Sequence, residues 1–186
     1  MNYVEPLNEE FIRKNQNKID WKEISEYQNL NENFIREFQD KVNWYCISNH
    51  QKLSENFIRE FKDKVDWQSI SCYQEIGEKF IIEFENEIDW ECISAYLKLS
   101  EKFIKKYINK INWDWISRDQ KLSMEFIKEF KNKVNWVFIL NKLGYEINPN
   151  FDRKYQIKSD NYCSDYVNSD EFIDLALRLV SLKVFK

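Results

Sequence analysis

Hydrophobic residues recur along this chain at two spacings, one helical and one of 23 residues. Within the stretch 53–75, Phe57, Phe61 and Val65 are four residues apart, as on one face of an α-helix. Ser54 precedes this apolar face and is a favourable N-cap residue. The pattern therefore predicts an amphipathic helix of about ten residues that begins after Ser54.

A second helix is predicted directly after the first. Asp66 has the N-cap position, and Trp67 and Ile70 supply an apolar face with Ser71 beside it. We expect this helix to have about eight residues and Trp67 to be largely buried. Each 23-residue stretch is then one helix–turn–helix unit.

Six copies of this unit follow one another, with the same period in the tryptophan, phenylalanine and isoleucine positions. The tryptophans are Trp21, Trp44, Trp67, Trp90, Trp113 and Trp136. The copies occupy residues 7–29, 30–52, 53–75, 76–98, 99–121 and 122–144. Helices this short are not stable alone, so neighbouring copies must share a core. The sequence predicts an all-α fold: an α-solenoid of short helix–turn–helix repeats with a C-terminal capping helix.

Both ends depart from the repeat. Asn15 replaces the aromatic residue found at Phe38 in the second copy, which gives the first copy a more polar face. Residues 145–186 are interpreted as a degenerate seventh repeat and a C-terminal cap, with a last helix from Ser169 that closes the core.

The repeat pattern Leu-Ser-Glu-x-Phe-Ile-x-Glu-Phe-x-x-Lys-Val-Asp-Trp resembles short helical repeats in proteins of large DNA viruses that infect protists. The resemblance covers about three quarters of the chain. It implies a viral origin and expression in the host cytoplasm, and it implies no particular activity.

Composition narrows the possible functions. Gly77 and Gly144 are the only glycines, so no glycine-rich phosphate loop can be written. A net charge of −4 gives no overall field that would gather nucleic acid. No apolar leader or membrane-length segment is apparent, and the four cysteines have no CxxC spacing. We therefore expect a cytoplasmic protein with free thiols.

No arrangement of residues indicates catalysis. A serine recurs at the place of Ser71 but the chain has one histidine, so repeated Ser–His pairs are impossible; we expect each serine to allow close helix packing. The Asp66 position is shared with asparagine, which favours capping over proton transfer. Cys46 and His50 have usable zinc-ligand spacing, with Cys72 as a further candidate, but no complete ligand set exists. We expect no enzyme, cofactor or metal.

The positions that vary between copies indicate where binding occurs. They lie on the second helix, opposite the isoleucine and serine positions. The candidate partner-binding residues are Tyr27, His50, Tyr73, Tyr96, Trp115 and Arg118. Tyrosine, tryptophan and arginine are frequent anchors in protein interfaces, and solenoids bind partners along such surfaces. The sequence favours a non-catalytic protein–protein interaction scaffold for an unidentified protein. The alternative is a single-stranded nucleic-acid-binding helical repeat protein, which the acidic balance makes the weaker hypothesis.

Overall fold

A computed structural model describes residues 7–144 and 173–178 of the chain. All regular structure in these residues is α-helical, and each copy contributes two helices, which confirms the predicted fold class. The first helices are α1 Glu9–Asn15, α3 Glu32–Glu37, α5 Glu55–Glu60, α7 Glu78–Glu83, α9 Glu101–Lys106 and α11 Met124–Glu129. The second helices are α2 Trp21–Tyr27, α4 Trp44–His50, α6 Trp67–Tyr73, α8 Trp90–Tyr96, α10 Trp113–Asp119 and α12 Trp136–Lys142. A thirteenth helix, α13, covers 173–178.

The chain divides into two compact units, Met1–Leu97 and Lys98–Lys186. In the first unit the second helices pack in series, α2 on α4, α4 on α6 and α6 on α8. In the second unit α10 packs on α12 in the same way. Each unit is thus a stack of repeats of the solenoid type.

The first helix is shorter than the sequence predicted. It has six residues in copy three, because the chain leaves helical geometry at Phe61, which has φ −111° and ψ 28°. The backbone carbonyl of Phe61 then accepts hydrogen bonds from the amides of Lys64 and Val65. Phe61 and Val65 are buried as predicted, but a tight turn places Val65 in the core instead of a continued helix.

The predicted caps are present. Ser54 Oγ accepts a hydrogen bond from the amide of Phe57 at 3.2 Å, and Asp66 Oδ1 accepts one from the amide of Ser69 at 2.8 Å. Asn43 caps α4 in the same way as Asp66 caps α6. Aspartate and asparagine are interchangeable here because each offers one acceptor oxygen, which is what capping requires.

Aromatic contacts join successive copies. The Trp44 ring lies 4.9 Å from the ring of Phe61 in the next copy, and Trp67 lies 4.8 Å from Phe84. Trp67 is only partly exposed, in keeping with the expected burial, whereas Trp136 is fully buried. The Trp67 indole lies along the edge of the core, and its Nε1 donates to the Lys62 carbonyl. One ring face packs while an edge remains in solvent.

Two buried polar side chains connect the repeats. Ser48 Oγ donates to the Trp44 carbonyl one turn back at 2.8 Å and accepts from the Asp66 amide of the next copy at 2.9 Å. The expected close packing at serine therefore includes a hydrogen bond between copies. The same pair of bonds is made by Ser25, Ser71 and Ser117.

Gln51 makes the second connection. Its Nε2 donates to the carbonyls of Ser25 and Gln28 at 3.0 and 2.8 Å, and its Oε1 accepts from the Leu30 amide at 2.9 Å. Gln74 repeats these three bonds one copy later. Leu97 has this position in copy four and has no side-chain polar atom with which to make them.

The two ends of the described repeats differ. Phe11 is 50% exposed, although Phe34 and Phe57 at the same place are fully buried. At the other end, Ile173 and Ala176 of α13 pack against Trp136, which confirms a C-terminal capping helix. The predicted seventh repeat, and the rest of the predicted last helix, lie outside the described residues.

Candidate binding surface

Three of the predicted binding residues are among the most exposed aromatic side chains of the first unit. Tyr27, Tyr73 and Tyr96 have 57%, 62% and 67% of their surface exposed. His50 has the same position in α4 and is also exposed. We refer to Tyr27, His50, Tyr73 and Tyr96 as the tyrosine strip. Because α2, α4, α6 and α8 pack in series, these four side chains lie in successive layers.

The strip is exposed because each member is the last residue of its helix. The following residue turns inward: Gln74, directly after Tyr73, is buried and bonded to the preceding copy. This bond holds the backbone after Tyr73 in place, and so fixes the position of the Tyr73 Cβ atom while the ring projects into solvent. At Tyr27, a hydrogen bond with the Glu26 carboxylate, aided by its charge, raises the pKa of the phenol.

A polar groove of about 580 Å³ lies between α2 and α4 beside the strip. It is lined by Lys22, Glu26, Asn43, Tyr45, Cys46, Asn49 and His50. Tyr45 is 59% exposed, and the sequence reasoning missed it as a binding residue. The available signal was an aromatic residue where other copies have Lys22, Gln68 or Glu91.

Cys46 and His50 both line this groove, but Cys46 is buried whereas His50 is exposed. Burial, together with the nearby Glu26 carboxylate, raises the pKa of the Cys46 thiol. A raised pKa disfavours the thiolate that metal binding needs. Among the described residues, no group of three or more metal-binding side chains comes together.

The expectation of four free thiols was wrong for two of them. Cys72 on α6 and Cys92 on α8 form a disulfide, with their Cα atoms 4.8 Å apart. Cys72 therefore is not available to Cys46 as a third metal ligand. The pairing joins the helices that carry Tyr73 and Tyr96. Cysteine spacing along the sequence did not reveal it, because the two residues are neighbours only after their helices pack.

Trp115 and Arg118 belong to α10, which lies in the second unit. Trp115 is half-buried, and the Arg118 guanidinium carbon lies 3.9 Å from its ring centroid. Arg118 also pairs with Asp119 at 3.0 Å. Asp119 has the position of the strip tyrosines, so α10 presents a stacked, paired arginine where the first unit presents exposed rings.

Arginines on the first helices of the first unit form ion pairs with glutamates of the same copy and of the next copy. Arg36 pairs with Glu32 one turn back at 3.5 Å, as the sequence pattern predicts, and with Glu60 of the next copy at 2.8 Å. Its guanidinium also lies 4.9 Å from the Phe57 ring centroid. Arg13 and Arg59 have equivalent partners. These arginines already have carboxylate partners, whereas the exposed tyrosines lie on the second-helix side.

Across residues 7–144 and 173–178, no helix has the length and apolar character needed to cross a bilayer. Comparisons with protein-family models, curated protein sequences and solved structures find no match to this chain.

Proposed function

We propose that this protein is a non-catalytic interaction scaffold that binds another protein along the tyrosine strip. The supporting observation is the exposure of Tyr27, Tyr73 and Tyr96, each above half of its surface, at the same place in α2, α6 and α8. The helix α4, which packs between α2 and α6, has His50 at this place. A tyrosine ring gives a large contact area with few rotatable bonds, so little conformational entropy is lost when it binds. We also propose a viral origin and action on a host or viral protein in the cytoplasm, on the basis of the repeat pattern.

The side chains of the tyrosine strip form a row along the stacked helices, from which each can contact the partner. Stacked helices lie about 10 Å apart, so rings on adjacent layers can enter separate pockets of one partner. The buried glutamine bonds of Gln51 and Gln74 fix the chain directly after His50 and Tyr73. Such preorganisation reduces the entropy lost on binding.

A double substitution, Tyr73→Ala with Tyr96→Ala, tests the proposal. Tagged wild-type and variant proteins would be expressed in host cells, and captured proteins identified by quantitative mass spectrometry. Phe11→Ala is the matched control, because Phe11 is an exposed aromatic residue on a first helix. We expect a partner that wild type and the control retain and the double variant loses.

Affinity for the purified partner should then fall by more than about 2 kcal/mol, the scale of interface anchors. Thermal stability should change little, since exposed substitutions usually stay within about 0.5 kcal/mol. An unchanged set of captured proteins would contradict the proposal. Oligonucleotide binding that weakens steeply with salt and disappears in the double variant would replace it with the nucleic-acid alternative.

A further inference from the structure

Charge is distributed unevenly along the repeats. Residues 7–98 contain 12 lysines and arginines against 19 aspartates and glutamates, a net charge of −7. Residues 99–144 contain 10 against 5, a net charge of +5. The net charge of the whole chain therefore conceals a basic segment in copies five and six. Such asymmetry is a signal for charged partners.

In the first unit, the arginines of the first helices have carboxylate partners supplied by the repeat. Arg36 contacts Glu32 and Glu60, and Arg59 contacts Glu55 and Glu83. Lys64, which follows α5, pairs with Asp40 at 3.0 Å, whereas Lys41 at the same place in copy two donates to the side-chain oxygens of Gln16 and Asn17.

In copy five the sequence changes at two of these positions. Lys106 stands where Glu37 and Glu60 stand in copies two and three, and Lys102 replaces Asn33 and Asn56. Both lysines are exposed, and within the described residues neither has a carboxylate within ion-pair distance. Lys106 instead lies 5.0 Å from the Tyr107 ring centroid.

Copy six also lacks carboxylates that pair with cations in earlier copies. Met124 has the position of Glu32, so Lys128 has no carboxylate one turn back. Asn109 has the position of Asp40, so Lys133 loses the partner that Lys64 has. Lys128 and Lys133 are exposed without a carboxylate partner in the described part of the chain. Of the glutamates nearby, Glu101 accepts from Ser123 and Glu129 pairs with Lys105, whereas Glu125 is exposed.

We propose that the exposed side of α9 and α11, with the turn that follows α11, binds an acidic segment of a partner protein, with Lys102, Lys106, Lys128 and Lys133 as its contacts. Lys102 and Lys106 are one helical turn apart on α9, and Lys128 lies on α11 in the next layer. A layer of about 10 Å matches three residues of extended peptide at about 3.3 Å each. Alternating carboxylates on such a segment would meet lysines of both layers.

The aromatic residues on this side favour a peptide over single-stranded nucleic acid. Phe103, Tyr107 and Phe126 are 3%, 6% and 1% exposed, so no ring of theirs is open for base stacking. The four cations are all lysines, which bind carboxylates as point charges and do not form the planar, bidentate contacts of arginine. This surface is separate from the tyrosine strip, so either proposal can fail alone.

The test measures binding of a fluorescent peptide of four Glu-Ser repeats at low salt. Lys102→Asn with Lys106→Glu installs the residues of copies two and three and changes the charge by −3. Lys14→Glu with Lys79→Asn makes the same charge change at equivalent positions of copies one and four, and is the matched control. We expect roughly tenfold weaker binding in the first variant and less than about twofold in the control, with binding that weakens as salt rises.

A wild-type protein that does not bind the peptide overturns the proposal. Equal loss in both variants also overturns it, because binding would then follow total charge. A single-stranded oligonucleotide that binds more tightly than the peptide, and is weakened by the first variant only, assigns the surface to nucleic acid and refutes the peptide. Circular dichroism of both variants excludes unfolding as the cause.

Discussion

Replacing Gln51 by leucine should destabilise the protein, although leucine is accepted at this place in copy four as Leu97. Gln51 is 4% exposed and makes three hydrogen bonds, two to carbonyls of the preceding copy and one with the Leu30 amide at the start of its own copy. Leucine leaves the carbonyls of Ser25 and Gln28 and the amide of Leu30 without these partners. The substitution therefore tests whether the buried glutamines hold the repeats together.

The magnitude follows from those three bonds. Each intramolecular hydrogen bond contributes about 1 kcal/mol net, and an unsatisfied buried group costs about 1–3 kcal/mol. Greater apolar burial by leucine offsets about 1 kcal/mol. We expect a loss of about 2–4 kcal/mol in the free energy of unfolding.

Urea denaturation monitored by circular dichroism would measure this loss, with hydrogen exchange at the Leu30 amide as the local readout. The Leu30 amide donates to Gln51 in the native protein and should exchange faster in the variant. The reciprocal change, Leu97→Gln, offers the missing bonds to copy three and should stabilise the protein. If Gln51→Leu leaves both the unfolding midpoint and the Leu30 exchange rate unchanged, the glutamine ladder contributes no stability and the reasoning is wrong.

Two other predictions concern stability. Replacing Cys72 and Cys92 by serine, or reducing the wild type, should lower the free energy of unfolding by about 3 kcal/mol, because the disulfide spans a sequence separation of 20 residues. A reductant should have no effect on the stability of the double variant. A further loss of stability on reduction of that variant would contradict the Cys72–Cys92 disulfide. Trp136→Ala should cost about 3–5 kcal/mol and Trp67→Ala about 2–3 kcal/mol, because Trp136 is fully buried and Trp67 half-buried. Equal midpoint shifts in denaturant would show that burial does not set the difference.

Much of the fold could be read from the sequence because the repeat shows the same local signals six times. Ser54 and Asp66 are capping residues whose effect acts over three positions, so local sequence suffices to place the helix starts. The helix end at Phe61 was less accessible. Val65 would be buried equally well at the end of a longer helix. Only the backbone turn at Phe61 distinguishes that longer helix from the turn that is observed.

The features that sequence reasoning missed depend on contacts between copies. Gln74 makes three hydrogen bonds, and two of them are to carbonyls of the previous copy. The Cys72–Cys92 disulfide likewise depends on how adjacent layers pack. A periodic sequence indicates that copies contact one another without specifying which atoms meet.

Scaffold positions and binding positions can be distinguished by the burial and hydrogen bonds of their side chains. Ser48 and Gln51 are buried and bonded to adjacent copies, so changes there carry a structural cost. An exposed Tyr73 or Lys106 supplies little of the packing, and the fold alone does not require it. Lys106 even replaces a residue type that pairs with arginine elsewhere in the repeat, which adds uncompensated charge. The acidic segment proposed to bind α9 and α11 would supply the carboxylate that this position lacks.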